Sequence, residues 1–228
     1  MLAFEVVLVC GLAFGSFIIS AGYRLWFGFA TVPDSHTTAY GIYRWLSSGV
    51  HEVAILALLW YLLARRGRNF SSLGLKWTWR DAGWSVLLYF GGSIAYKTIY
   101  TLIYALGLTS VSRHTASGQV GDALFGTGIS VFTILFQFLN PFFEELVVRA
   151  YLMTGIKALT NSALLAIVIS TGLQASYHLY QGVPMALSAG GMFLIFSIFY
   201  AKTNRITPII LAHLYADVLG TLWYFLQH

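Results

Sequence analysis

Charge is what this sequence has least of. Only 9% of its 228 residues are Asp, Glu, Lys or Arg, against about 25% in an ordinary soluble domain, and 58% are hydrophobic. That balance excludes a water-soluble globular domain and indicates a membrane protein. Residues 6–23, 123–143, 158–177 and 179–201 contain no Asp, Glu, Lys, Arg or His at all, and roughly 20 apolar residues suffice to cross a bilayer as a helix. Cys10 is the single cysteine, which rules out a disulfide within the chain and says nothing more about redox compartment. A basic run of the kind that grips nucleic acid is missing, so the net charge of +5 bears on membrane topology instead. No internal repeat, low-complexity tract, GxSxG or HExxH stands in the chain. The N-terminus carries Glu5 where a secretory signal would carry Lys or Arg, and it has no small-x-small cleavage site, so it is read as a retained helix.

What is present is a succession of apolar segments. Spans are expected near 3–22, 47–64, 83–106, 125–156, 161–179, 184–201 and 206–226. The expected fold is therefore all-α, a polytopic transmembrane bundle of about seven spans in one membrane domain covering 1–228, with the active site enclosed within it. The fourth span is too long for one straight crossing, and Pro141 is its expected kink because proline lacks a donor and clashes with the preceding turn. Arg65, Arg66, Arg68, Lys76 and Arg80 fill the loop at 65–82, while Lys157, Lys202 and Arg205 fall on the same side by alternation. The basic side of a membrane protein faces the cytoplasm. This places the N-terminus inside, the C-terminus outside and the site's opening on the cytoplasmic side; Arg24, Arg44 and Arg113 run against it. Trp77 and Trp79, interleaved with Lys76 and Arg80, suit the headgroup region.

Against this background "NPFFEELVVRAY" (140–151) holds Glu144, Glu145 and Arg149. Ionisable groups within a bilayer cost a few kcal/mol each, so they face the bundle interior, pair and mark function. Glu145 and Arg149 stand at i and i+4 and form a pair. Glu144 points about 100° away and has no partner in its own helix, which leaves it free as a general base. A structural charge cluster is the bland alternative, because ion-pair networks arise without chemistry. Further polar residues lie on apolar helices: Thr171, Gln174 and His178 share a face of the fifth span, and His213 and Asp217 stand at i and i+4 in the seventh. Each needs an interior partner, and convergence satisfies them together.

Two chemistries fit such a cluster. A glutamate and a histidine can hold and deprotonate a water, with other polar groups stabilising the oxyanion formed when it adds to an amide. Alternatively, Glu144, His178 and His213 make up the three-ligand set of a catalytic zinc site with an open fourth position.

EExxxR at Glu144, Glu145 and Arg149, a histidine about 30 residues on, and HxxxD at His213 and Asp217 together resemble the CPBP family. That family includes the type II CAAX prenyl proteases and bacteriocin-processing or immunity proteins. The resemblance covers about 125–222; the first 110 residues add a compatible hydrophobic profile. It implies an intramembrane endopeptidase in which Glu144 is the catalytic base and His178 helps it activate water. Glu145 and Arg149 match supporting positions. His213 and Asp217 match the last motif, assigned to the oxyanion hole or, in the metalloprotease view, to metal. Asp217 is an awkward oxyanion donor because it must be protonated to donate, so it is expected to orient His213. Gln174 stands where the family has Phe, and is expected to hydrogen-bond His178 or the substrate. The implied partners are a peptide or protein substrate, prenylated in the CAAX subgroup, and membrane lipids. The implied location is a bacterial or archaeal plasma membrane.

Other readings stay open. A family member that binds a peptide or protein as an immunity or regulatory factor without cleaving is the main alternative to a protease. A proton-coupled transporter would need opposite-facing access and usually repeats. Lys97 is expected to pair with Glu5 or Glu52 or to snorkel, and His36, His51, His114 and His228 are expected to be solvated. The SAGGMF run at 188–193 is expected to permit close helix approach.

Overall fold

The computed structural model describes residues 1–27, 38–109 and 130–227. His36, His114, His228 and Arg113 lie outside them. Seven long helical stretches run through the described residues: α1 (Leu2–Phe27), α2 (Thr38–Ala64), α3 (Arg80–Ala105), α4 (Val131–Thr160), α5 (Ala163–Tyr177), α6 (Val183–Thr203) and α7 (Thr207–Gln227). No strand occurs among the described residues. The six helices from α1 to α6 are long and apolar enough to cross a membrane, and α7, with 21 residues, is the seventh expected span. Large apolar side chains such as Phe4, Leu87, Leu164 and Leu222 are exposed. On a soluble protein this would be a liability, whereas facing lipid it costs nothing.

Local chemistry sets the helix ends. Ser130 and Thr133 form a reciprocal capping box at the start of α4, and Ser162 accepts the Leu165 amide at the start of α5, each satisfying donors that a first turn leaves without partners. The α4 span is 30 residues long, about 45 Å at helical rise and well beyond a ~30 Å hydrocarbon core. Pro141 lies inside it, but the departure from α geometry comes later, as a π-helix over Glu145–Leu152. All eight residues of that segment are buried, and it forms the centre of the bundle. Such i→i+5 turns recur at functional sites.

One end of the bundle is basic and tightly tied. Arg66 pairs with Glu5 at 2.6 Å, Arg205 with Asp81 at 2.7 Å, and the Ile206 amide donates to the Gly74 carbonyl at 3.2 Å. Gly74 has φ +88°, and a Cβ there would run into the Asn204 carbonyl, so only glycine allows this loop to dock on the α6–α7 turn. The Tyr200 hydroxyl adds bonds to the carbonyls of Leu73 and Ala150, at 3.1 and 3.3 Å. Lys97 pairs with neither Glu5 nor Glu52: it is exposed on α3, and Glu5 has taken Arg66 instead. His51, expected to be solvated, is half-buried in α2 with Nε2 3.3 Å from the Ala13 carbonyl.

Close approach of α3 to α6 relies on small residues. A Cβ on Gly191 would strike Ile99, and one on Gly92 would fall 2.7 Å from Met192, so the two glycines let the helices pack backbone to side chain. This packing holds Phe193, two residues after Gly191, inside the bundle at 1% exposure.

Candidate active site

Three helices bring the polar residues together. From the end of the α-helical part of α4, Glu144 reaches across to α5. Its Oε2 accepts hydrogen bonds from Gln174 Nε2 at 2.7 Å and from the Tyr177 hydroxyl at 2.8 Å. Two donors on one oxygen fix the orientation of the carboxylate, while Oε1 accepts no hydrogen bond among the described residues. Gln174 therefore serves Glu144 with its side chain. Its side chain is fully buried and does not bond His178, the first of the two expected partners: it is the Gln174 backbone carbonyl that meets His178, whose Nδ1 lies 2.9 Å away.

That backbone contact determines the tautomer of His178. A carbonyl only accepts, so Nδ1 carries the hydrogen, and the neutral ring keeps its lone pair on Nε2. The α-helical winding stops at Tyr177 and continues as a 3₁₀ turn over His178–Gln181.

Next to Glu144, Glu145 opens the π-helix and serves two partners. Its Oε2 stands 3.4 Å from Arg149 Nε, the expected i, i+4 pair, and its Oε1 accepts from His213 Nδ1 at 2.8 Å. Orientation of His213, expected from Asp217, thus comes from Glu145. Asp217 Oδ1 is 3.7 Å from His213 Nε2, beyond hydrogen-bond reach but close enough to flank it. With Nδ1 engaged by a carboxylate, His213 in its doubly protonated form offers Nε2–H as a donor.

Phe193 of α6 is the common wall. Its ring centre lies 5.2 Å from that of His178, 5.5 Å from that of His213 and 4.7 Å from the Arg149 guanidinium carbon, so it separates the two histidines and stacks under the arginine. Tyr177 in turn stacks on Phe14 of α1, with ring centres 4.4 Å apart. Sequence reasoning missed Phe193 and Tyr177. The only signal for Tyr177 was its place beside His178, and Phe193 had none in a chain that is 17% aromatic. Thr171, placed with Gln174 and His178 on one face, donates to Ser197 on α6 at 3.2 Å and takes no part in the cluster.

The zinc set Glu144, His178 and His213 does not assemble. Among the described residues no three of His, Cys, Asp or Glu group so as to hold a metal ion. The residues as arranged do not fit a three-ligand ion, and no step below is routed through one.

The depth of the site is also decided here. α5 begins at Ser162, on the basic end, and His178 lies 16 positions later in the chain, roughly 24 Å along a helix. Glu144 is bonded to Tyr177 beside it. The Glu144–His178 part of the site therefore lies toward the end opposite the basic loops.

Residues 126–219 match the family model described as Type II CAAX prenyl endopeptidase Rce1-like. Comparison with curated proteins and with solved structures finds no match. Glu144, Glu145, Arg149, Gln174, His178, His213 and Asp217 all fall within the matched segment, and its type II CAAX prenyl endopeptidases are proteases of the CPBP family that EExxxR and HxxxD had implied. Over residues 126–219 the chain is thus similar to the Rce1-like type II CAAX prenyl endopeptidases, and its long apolar helices fit an integral membrane protein.

Proposed function

We propose that the protein is an intramembrane endopeptidase that hydrolyses a peptide bond with a water activated by Glu144 and His178. The observation that carries this is the clamp on Glu144. Gln174 and Tyr177 hold one carboxylate oxygen and leave the other to take a proton from water. His178 Nε2, left as an acceptor by the bond at Nδ1, helps orient that water. As the water oxygen adds to the carbonyl carbon, the C=O π electrons move to oxygen, and His213 Nε2–H stabilises the resulting oxyanion. Collapse of the intermediate breaks the C–N bond, and Glu144 passes its proton to the leaving amine. Glu145 and Arg149 act through His213, fixing its ring. Asp217 flanks His213 and lends it negative charge.

The basic loops at 65–82 and 202–205 support an orientation with that end in the cytoplasm, hence the N-terminus inside and the C-terminus outside. In that orientation the Glu144–His178 end of the site is nearer the outer leaflet.

The test is cleavage of quenched peptides, prenylated CAAX peptides among them, by the purified protein in lipid. Glu144→Gln should abolish turnover and a chelator should leave it intact. Cleavage that survives Glu144→Gln would sink the proposal. A chain that binds a peptide partner equally well with and without this nearly isosteric change, and cleaves nothing, would instead be the immunity or regulatory factor.

A further inference from the structure

We propose that Glu52 of α2 extends the site beyond the matched segment and that the site selects a peptide carrying a cationic side chain near the bond to be cleaved. The cleavage step rests on the function proposed above; the charge preference can be tested without it.

Glu52 reaches the site by helix register. α2 and α4 run side by side in the same direction. Trp45 packs on Phe136 with ring centres 4.8 Å apart, Gly49 approaches Leu139, and the His51 ring lies 6.3 Å from that of Phe143. These contacts advance together along both helices and bring Glu52 level with Phe143 and Glu144. Glu52 is 4% exposed, and its Oε2 is buried without a hydrogen-bond partner. Two turns earlier on the same face, the Trp45 indole N–H is likewise buried without a partner. An acceptor and a donor left open along one seam beside the catalytic carboxylate are what a bound peptide would satisfy.

The charge inventory gives the substrate its sign. Glu52, Glu144, Glu145 and Asp217 face one arginine, Arg149, and two histidines, His178 and His213. Four acidic side chains thus stand against a single arginine, and Oε2 of Glu52 has no hydrogen-bond partner. Arg149 is committed to Glu145, the donors on Glu144 are neutral, and Glu52 has none. Arg44, eight positions from Glu52 on α2, lies over the Trp45 ring at 4.8 Å. Crowded carboxylates in a low dielectric are relieved by protons or by a cation. A lysine or arginine side chain supplies the cation, whereas a substrate bringing its own carboxylate adds to the excess.

The test uses the full-length protein in lipid nanodiscs and fluorescein-labelled decapeptides of Ala, Leu and Ser with a single Lys, Gln or Glu scanned along the chain. Binding is read by anisotropy on Glu144→Gln, which cannot turn over, and cleavage on the wild type. Expected is a position at which Lys binds about tenfold more tightly than Gln, with Glu weakest. Adding Glu52→Gln should erase the Lys advantage and leave the Gln peptide unaffected, and Glu52→Asp, which keeps the charge, should retain it and serves as the folding control. Lysine-independent binding at every position, or an equal loss for Lys and Gln peptides in Glu52→Gln, overturns the inference. Cleavage without a lysine preference overturns it while leaving the peptidase intact. Lysine-dependent binding without cleavage upholds it and removes the peptidase.

Discussion

His213 of α7 donates from Nδ1 to Glu145 of α4 at 2.8 Å, and the same carboxylate neutralises Arg149, which is wholly buried. One glutamate therefore joins the two ends of the matched segment, the EExxxR and HxxxD residues, by a direct contact. Removing it should be costly in two ways, because Arg149 loses its counter-ion and His213 loses the acceptor that sets its ring.

Glu145→Gln is expected to lower stability by about 3–5 kcal/mol, the range for breaking one side of a buried pair. Thermal unfolding in detergent would show this as a clear drop relative to Glu144→Gln, whose partners are neutral. Equal melting of the two variants would mean that Arg149 is not held by Glu145.

Tyr177→Phe deletes one hydrogen bond to Glu144 and preserves the ring that stacks on Phe14. A hydrogen bond to a charged group contributes about 1.5–3 kcal/mol, so kcat should fall roughly 10-fold to 100-fold with KM little changed. An unchanged kcat would remove Tyr177 from the site.

Gln174→Met keeps approximate volume and removes the second donor. Loss of turnover comparable to Tyr177→Phe is expected, and the double variant should lose less than the sum if both bonds serve the same oxygen. A double-mutant cycle on kcat decides it; strict additivity would assign the two residues separate roles.

Gly191→Val should destabilise the α3–α6 contact by about 1–3 kcal/mol, since the added methyl groups meet Ile99 in a packed interior. Gly172, with open space around its Cβ position, gives the contrast: Gly172→Ala should be neutral or stabilising by a few tenths to about 1 kcal/mol. Unfolding of both variants in the same detergent would test whether close approach, rather than helix propensity, is what the first glycine provides.

Orientation is checked by cysteine labelling in a Cys10→Ala background. Arg68→Cys, exposed in the basic loop, should react with an impermeant maleimide only when the cytoplasmic face is accessible. Labelling in intact cells would invert the topology.

The sequence by itself determined the architecture, because a bilayer admits only segments that satisfy their own backbone. Apolar stretches of span length therefore mark helices almost residue by residue, as at 206–226 against α7 at Thr207–Gln227. The i, i+4 pairing of Glu145 with Arg149 was legible for the same reason, since helical geometry is local. Contacts between helices far apart in sequence were not. Gln174 points to Glu144 across 30 positions, and Tyr177 reaches it across 33. Phe193 divides the histidines because glycines let α6 approach α3, and Glu52 comes level with Glu144 because α2 and α4 pack in register. Pro141 suggested a kink by its own chemistry, yet the irregular winding follows it at 145–152, where three helices meet around two glutamates and an arginine. The depth of the site was likewise beyond the sequence. Loop charges orient a bundle, but where along its axis a side chain finds its partners depends on how the helices are packed together.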